Sequence, residues 1–335
     1  MGRLMVRLAA WRIVGAGACL ALGASALPHG AAPAASTASA HGVLPKQAER
    51  PLPDRLRGVT IDSTARLTAT LASVRALRSV PTVRLVFDPG TKPGDYAAAI
   101  SHLRPAAYVM AELLDSEAVK GFSVAAVQQR ARTFGAAFKG QVDLWEIGNE
   151  VNGDWLGRNQ AEIDAKVAAA FDVIHGELGG RTALTLNYWA GPQCYAHPWE
   201  ATLTYAATMP ERVRLGANYV FLSLYETACA PAQRPTPSQL IVTFRALARI
   251  FPQARLGIGE IGAQGVADGL PAEPTLAEKQ RIAARYYGMD SVMRARLGPR
   301  WVGGYFWWYF TRDAVPMGRA DSLWPTLDAL LAGLG

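Results

Sequence analysis

The sequence predicts a closed (β/α)8 barrel, and three observations carry that prediction. From Arg57 onward, short β-type runs alternate with longer runs of helical period, a pattern that implies a parallel sheet. There are eight such units, and their mean spacing of about 35 residues suits a barrel of ordinary size. No glycine-rich phosphate fingerprint follows any strand, so the main signature of the rival doubly wound open sheet is missing. A single catalytic-size domain is expected over residues 55–335.

The units follow in order. The first strand is Gly58–Asp62, and its helix carries Leu67, Leu71, Val74 and Leu77 on one face. The second is Thr82–Asp88, followed by a helix with Tyr96, Ile100 and Leu103. The third is Ala107–Leu113, and its helix opens near Ser123. The fourth contains Trp145 and Ile147 and runs into Asn149-Glu150; its helix ends at Gly179-Gly180, a C-terminal signal. The fifth is Ala183–Trp189, with a helical segment around Glu200 to Met209. The sixth is Ala217–Tyr225, followed by a helix with Leu240, Phe244, Leu247 and Phe251. The seventh is Arg255–Gly262, whose helix begins with the capping-box pair Thr275 and Glu278 and extends past Met289 to Met293. The eighth is Val302–Phe310, and a last helix covers Leu323 to Leu331.

Residues 1–26 read as a secretory signal: Arg3, Arg7 and Arg12 precede a short apolar run, and Ala24-Ser25-Ala26 offers a cleavage site. The apolar run is far below the ~20 residues that span a bilayer, so no lasting membrane insertion is expected. Residues 27–54, rich in Ala, Pro, Ser and Gly, read as a disordered linker. Export to the periplasm or beyond is therefore expected. The formal charge is +7, but three of those charges lie in the signal and the rest are scattered. No basic patch for nucleic acid results, and a monomer is expected.

Two strand ends stand out. Glu150 closes the fourth strand and Glu260 closes the seventh, across the ring from it. Active sites of such barrels lie at the C-terminal strand ends. Two carboxylates facing each other there are the minimum equipment for cleaving a glycosidic bond, one protonated and one ionised. Glu146 shares a face with Glu150 one layer deeper, and a buried carboxylate needs a partner; Arg84 on the second strand is the candidate. Cys194 and Cys229 lie in loops after adjacent strands, and in an oxidising compartment a disulfide between them is expected.

Trp145-Glu-Ile-Gly-Asn-Glu150, Gly259-Glu-Ile-Gly262 and Gly304-Tyr-Phe-Trp-Trp308 together resemble clan A retaining glycoside hydrolases, in particular the cellulase-like and xylosidase-like families. Val151 stands where the former more often has proline. The resemblance implies hydrolysis with retention through a covalent glycosyl-enzyme, with no metal or cofactor, on a β-linked polysaccharide or oligosaccharide. It makes Glu150 the acid/base and Glu260 the nucleophile, their carboxyls about 5–5.5 Å apart. Carried over, Asn149 would bond the sugar 2-hydroxyl, Tyr225 would touch Glu260, Arg84 would lie beneath it, and Trp308 would floor the subsite. Trp155 and Trp189, just beyond strand ends, are expected to stack on sugar faces. The rival readings are a catalytically silent carbohydrate-binding barrel and a phosphate-handling lyase or isomerase. The latter lacks its glycines at the strand-eight exit, which holds Thr311, Arg312 and Asp313.

Overall fold

Strand chemistry decides this architecture before the helices do. Every strand is almost wholly buried, with apolar residues on both faces, the composition of a parallel sheet covered by helices. The computed structural model describes residues 50–264 and 273–334. Its strands are β1 (Leu56–Ile61), β2 (Thr82–Val86), β3 (Tyr108–Glu112), β4 (Leu144–Gly148), β5 (Thr182–Asn187), β6 (Tyr219–Leu224), β7 (Arg255–Ile261) and β8 (Trp301–Trp307). They pair in sequence order, all parallel, and β8 closes on β1.

Period-2 alternation then sorts side chains by depth. Leu56, Met110, Leu144, Ala183, Tyr219, Phe221, Val302 and Phe306 pack together as a separate buried cluster that plugs the barrel interior. One step further along the same faces come Glu112, Glu146, Thr185 and Ser223. The interior is thus apolar toward the strand starts and polar toward the strand ends. The other face of each strand joins the large cluster shared with the helices. Glycines permit the tightest approaches. A Cβ on Gly304, which has φ +92°, would lie 2.4 Å from the Ile258 carbonyl oxygen.

The eight units stand as expected, and Thr275 and Glu278 form their reciprocal cap. Two helical segments and one strand end differ. The one after β5 is two short helices, Thr202–Thr208 and Glu211–Gly216, divided at Pro210, which supplies no N–H. The one after β7 breaks near Gly288 into Leu276–Tyr287 and Asp290–Leu297. β8 ends at Trp307 rather than Phe310, and Phe310–Asp313 is a helical turn.

The signal segment and residues 27–49 of the expected linker lie outside the described residues. Residues 50–54 are described, and Arg50 is held there: its Nε and Nη2 donate to Asp143 at 3.1 and 2.6 Å, and it reaches the Arg104 and Ala107 carbonyls. The barrel thus begins its fastenings a few residues before 55. Among the described residues, no helix is long and apolar enough to cross a membrane.

Candidate active site

Glu150 follows β4 in a left-handed conformation, φ 52°, costly for a side chain with a Cβ. That turn aims the carboxyl inward, where Oε1 accepts from Ser223 Oγ at 2.9 Å and Oε2 from Ser116 Oγ at 3.3 Å. Neither donor carries charge. Burial, reinforced by the negative charge of Glu260, pushes the Glu150 carboxyl up to about 8. Such a group holds its proton at neutral pH.

Glu260, near the end of β7, is differently surrounded. Oε1 accepts from the Tyr225 hydroxyl at 2.8 Å, and Oε2 accepts from Arg84 Nη1 at 2.6 Å and Asn149 Nδ2 at 3.2 Å. Three donors, one of them cationic, thus converge on its two oxygens. Tyr225 is held well above its ordinary value, chiefly by burial and then by the Glu260 charge, so its proton stays in the bond. Register explains how the two acids come together. Ser223 pairs across the backbone with Glu260 while its hydroxyl reaches Glu150.

Beneath them lies Arg84, fully buried. Its Nε donates to Glu146 at 2.6 Å, so the expected buried pair forms. Its Nη2 lies 3.2 Å from Glu112 Oε2, outside hydrogen-bond geometry, and neither Glu112 oxygen has a hydrogen-bond partner. Burial raises both acids, Glu112 well above its ordinary value and Glu146 against the opposing pull of Arg84 and Thr185.

The aromatic residues divide. The Trp308 ring lies against Arg84, whose guanidinium carbon is 4.9 Å from the ring centre. Trp155 and Trp189 meet edge to face at 5.7 Å, and Trp189 is 6% exposed in a cluster with the Cys194–Cys229 disulfide. Little of Trp189 is left to meet a sugar; Trp155 keeps more surface open. Asn149 Oδ1 is buried without a partner.

Among the described residues, Asp154, His197 and Glu200 bring ligand-capable atoms within 4.8 Å of one another. Glu200 already accepts from the backbone N–H groups of Asp154, Ala196 and His197, so its burial is accounted for as a loop cap.

Sequence reasoning missed Glu112, Ser116 and Ser223. Glu112 interrupts an apolar run in β3, and the alternation that marked Glu146 would also have marked it. The serines carry no comparable signal.

No family model matches the sequence, and no curated protein does. Solved structures do match by shape. A family 1 β-glucosidase from Thermotoga maritima superposes with a TM-score of 0.59 at 10% identity, over 86% of this chain and 99% of that one. A thermostable mutant of a xylanase from Cellvibrio japonicus gives 0.57 at 14% identity, over 84% and 98%. A calcium-binding mutant of Bacteroides uniformis β-glucuronidase 2 gives 0.50 at 12% identity, over 76% of this chain but only 30% of that longer one. At such identities the likeness is one of fold. The chain is therefore a (β/α)8 barrel of the shape found in these glycoside hydrolases.

Proposed function

We propose that this chain is a retaining glycoside hydrolase acting on a β-linked polysaccharide or oligosaccharide. The observation that carries the reading is the contrast between two acids at one site: Glu150 with neutral donors only, Glu260 with Arg84, Tyr225 and Asn149. In this reading Glu260 attacks the anomeric carbon while Glu150 gives its proton to the departing glycosidic oxygen. That forms a glycosyl ester on Glu260. Glu150, now ionised, takes a proton from water; the water attacks the anomeric carbon and releases Glu260. No metal or cofactor enters these steps. Asn149 Oδ1 accepts from a sugar hydroxyl, Trp308 lines the subsite, and Trp155 extends it with Trp189 packed behind. The Cys194–Cys229 bridge suits an oxidising compartment, which fits an exported protein.

Product analysis on a panel of β-glucans, xylans and aryl β-glycosides tests the reading. Released sugar with wild type, and none with Glu260→Ala, is the expected result. An active Glu260→Ala protein would remove the nucleophile assignment. Affinity for glycans without release by the wild type would make the chain a silent binding barrel.

A further inference from the structure

Three buried glutamates surround one arginine, and each arginine nitrogen faces a different one. Arg84 Nε meets Glu146 at 2.6 Å, Nη1 meets Glu260 at 2.6 Å, and Nη2 faces Glu112 at 3.2 Å. All four residues are at most 4% exposed. One positive charge cannot neutralise three carboxylates in a low-dielectric interior. Glu112 and Glu146 are also direct partners across β3 and β4, an arrangement unfavourable for two like charges. Donor geometry assigns the charges. Glu260 accepts three hydrogen bonds. Glu146 accepts from Arg84 and from Thr185. Glu112 accepts none, so it is the one that keeps a proton. The guanidinium is thus divided between two anions, one structural and one at the reacting centre.

We propose that Glu146 is a positioning residue. By occupying the Nε edge of Arg84 it fixes the guanidinium so that Nη1 alone reaches Glu260, and by sharing the single positive charge it keeps the Glu260 carboxylate nucleophilic. This rests on Glu260 being the nucleophile of the proposed reaction. Without the Glu146 charge, Arg84 would be committed wholly to Glu260. That would stabilise the Glu260 anion and weaken its attack. The groups facing Glu146 are Arg84, Thr185, Glu112 and Glu260, and the Glu146 charge helps Glu112 keep its proton.

The test uses the full-length protein and 2,4-dinitrophenyl 2-deoxy-2-fluoro-β-glucoside and β-xyloside. The leaving group needs no proton from Glu150, so the pH dependence of labelling reports the nucleophile alone. Peptide mass spectrometry locates the label. Labelling of wild type at Glu260 is expected. For Glu146→Gln the acid limb of the labelling rate should move down by on the order of one pH unit, and the plateau should fall about tenfold. Glu146→Asp, which keeps the charge, should hold the limb near wild type while losing plateau rate; it also serves if Glu146→Gln fails to fold by circular dichroism. Glu112→Gln should keep the wild-type limb. A folded Glu146→Gln protein with wild-type limb and plateau overturns the positioning role alone. So does a limb that shifts equally in Glu146→Asp and Glu146→Gln. Wild type that is labelled at another residue, or that neither reacts with these probes nor cleaves any glycan of the panel, overturns the reading of Glu260 and this proposal with it.

Discussion

The two ends of the barrel treat charge in opposite ways. At the strand starts each prominent acid has its own cation, although Arg55 Nε and Nη1 are buried without partners. Asp143 takes Arg50 and the Val109 N–H; Asp290 takes Arg55 and the Trp301 indole; Arg57 caps the Leu331 and Leu334 carbonyls, and Arg300 those of Ala248, Phe251 and Ala254. At the strand ends one arginine serves three glutamates, and a fourth, Glu150, has only hydroxyl partners. The first arrangement is what stability alone selects, since buried charges are costly unless paired. The second leaves acids in unequal protonation states, which acid–base chemistry requires. Acids are matched to cations where the barrel is only held together and outnumber them where it is proposed to react.

The comparison can be broken at either end. The largest expected effect is at the reacting end: Glu260→Ala should lower the rate on a cleaved β-glycoside by about four orders of magnitude or more, measured by sugar release, with the fold retained. At the other end, Asp143→Ala should cost roughly 3 kcal/mol, because it leaves Arg50 without its carboxylate partner and the Val109 N–H without its acceptor. Urea unfolding reads this, and the turnover of the folded fraction should stay within about twofold. If Asp143→Ala were catalytically dead, the two ends would not be separable.

The rim offers a smaller effect. Replacing Cys194 and Cys229 together by serine opens a link between residues 35 apart in sequence and should cost about 2–4 kcal/mol, again by urea unfolding. The smallest effect sharpens the comparison most. The Glu150 carboxyl is held at about 8 in the fold against an ordinary 4.5. It binds a proton more tightly folded than unfolded, so its contribution costs stability increasingly as pH rises from about 4.5 to about 8. Glu150→Gln should therefore raise the melting temperature by a few degrees at pH 8 and leave it almost unchanged at pH 4, read by thermal melts at both. Loss of stability at pH 8 would show that Glu150 is paired like the acids at the strand starts.

The sequence made the frame and the paired acids legible for physical reasons. Strands buried on both faces and alternating with helical periods leave few topologies open, and a glutamate that ends such a run is conspicuous. Alternation also placed Glu146 with Arg84. The same alternation marks Glu112, which interrupts the apolar run of β3, as a third neighbour, and that signal went unused. Ser116 and Ser223, the two partners of Glu150, look like any small polar residue of a loop or strand. Trp189 was expected at the substrate surface, and its burial beside the disulfide follows from a loop–loop bridge that brings Cys194 against Cys229. The helix breaks near Pro210 and Gly288 fall where the helical period alone gives no warning.

Direct attack by Glu260 is the claim on which the rest depends, and the configuration of the first sugar released measures it most directly. Proton NMR during the opening minutes of wild-type hydrolysis of a β-linked oligosaccharide should show the β-anomer first, with the α-anomer growing only by mutarotation. An α-anomer appearing first would mean that water, not Glu260, reaches the anomeric carbon.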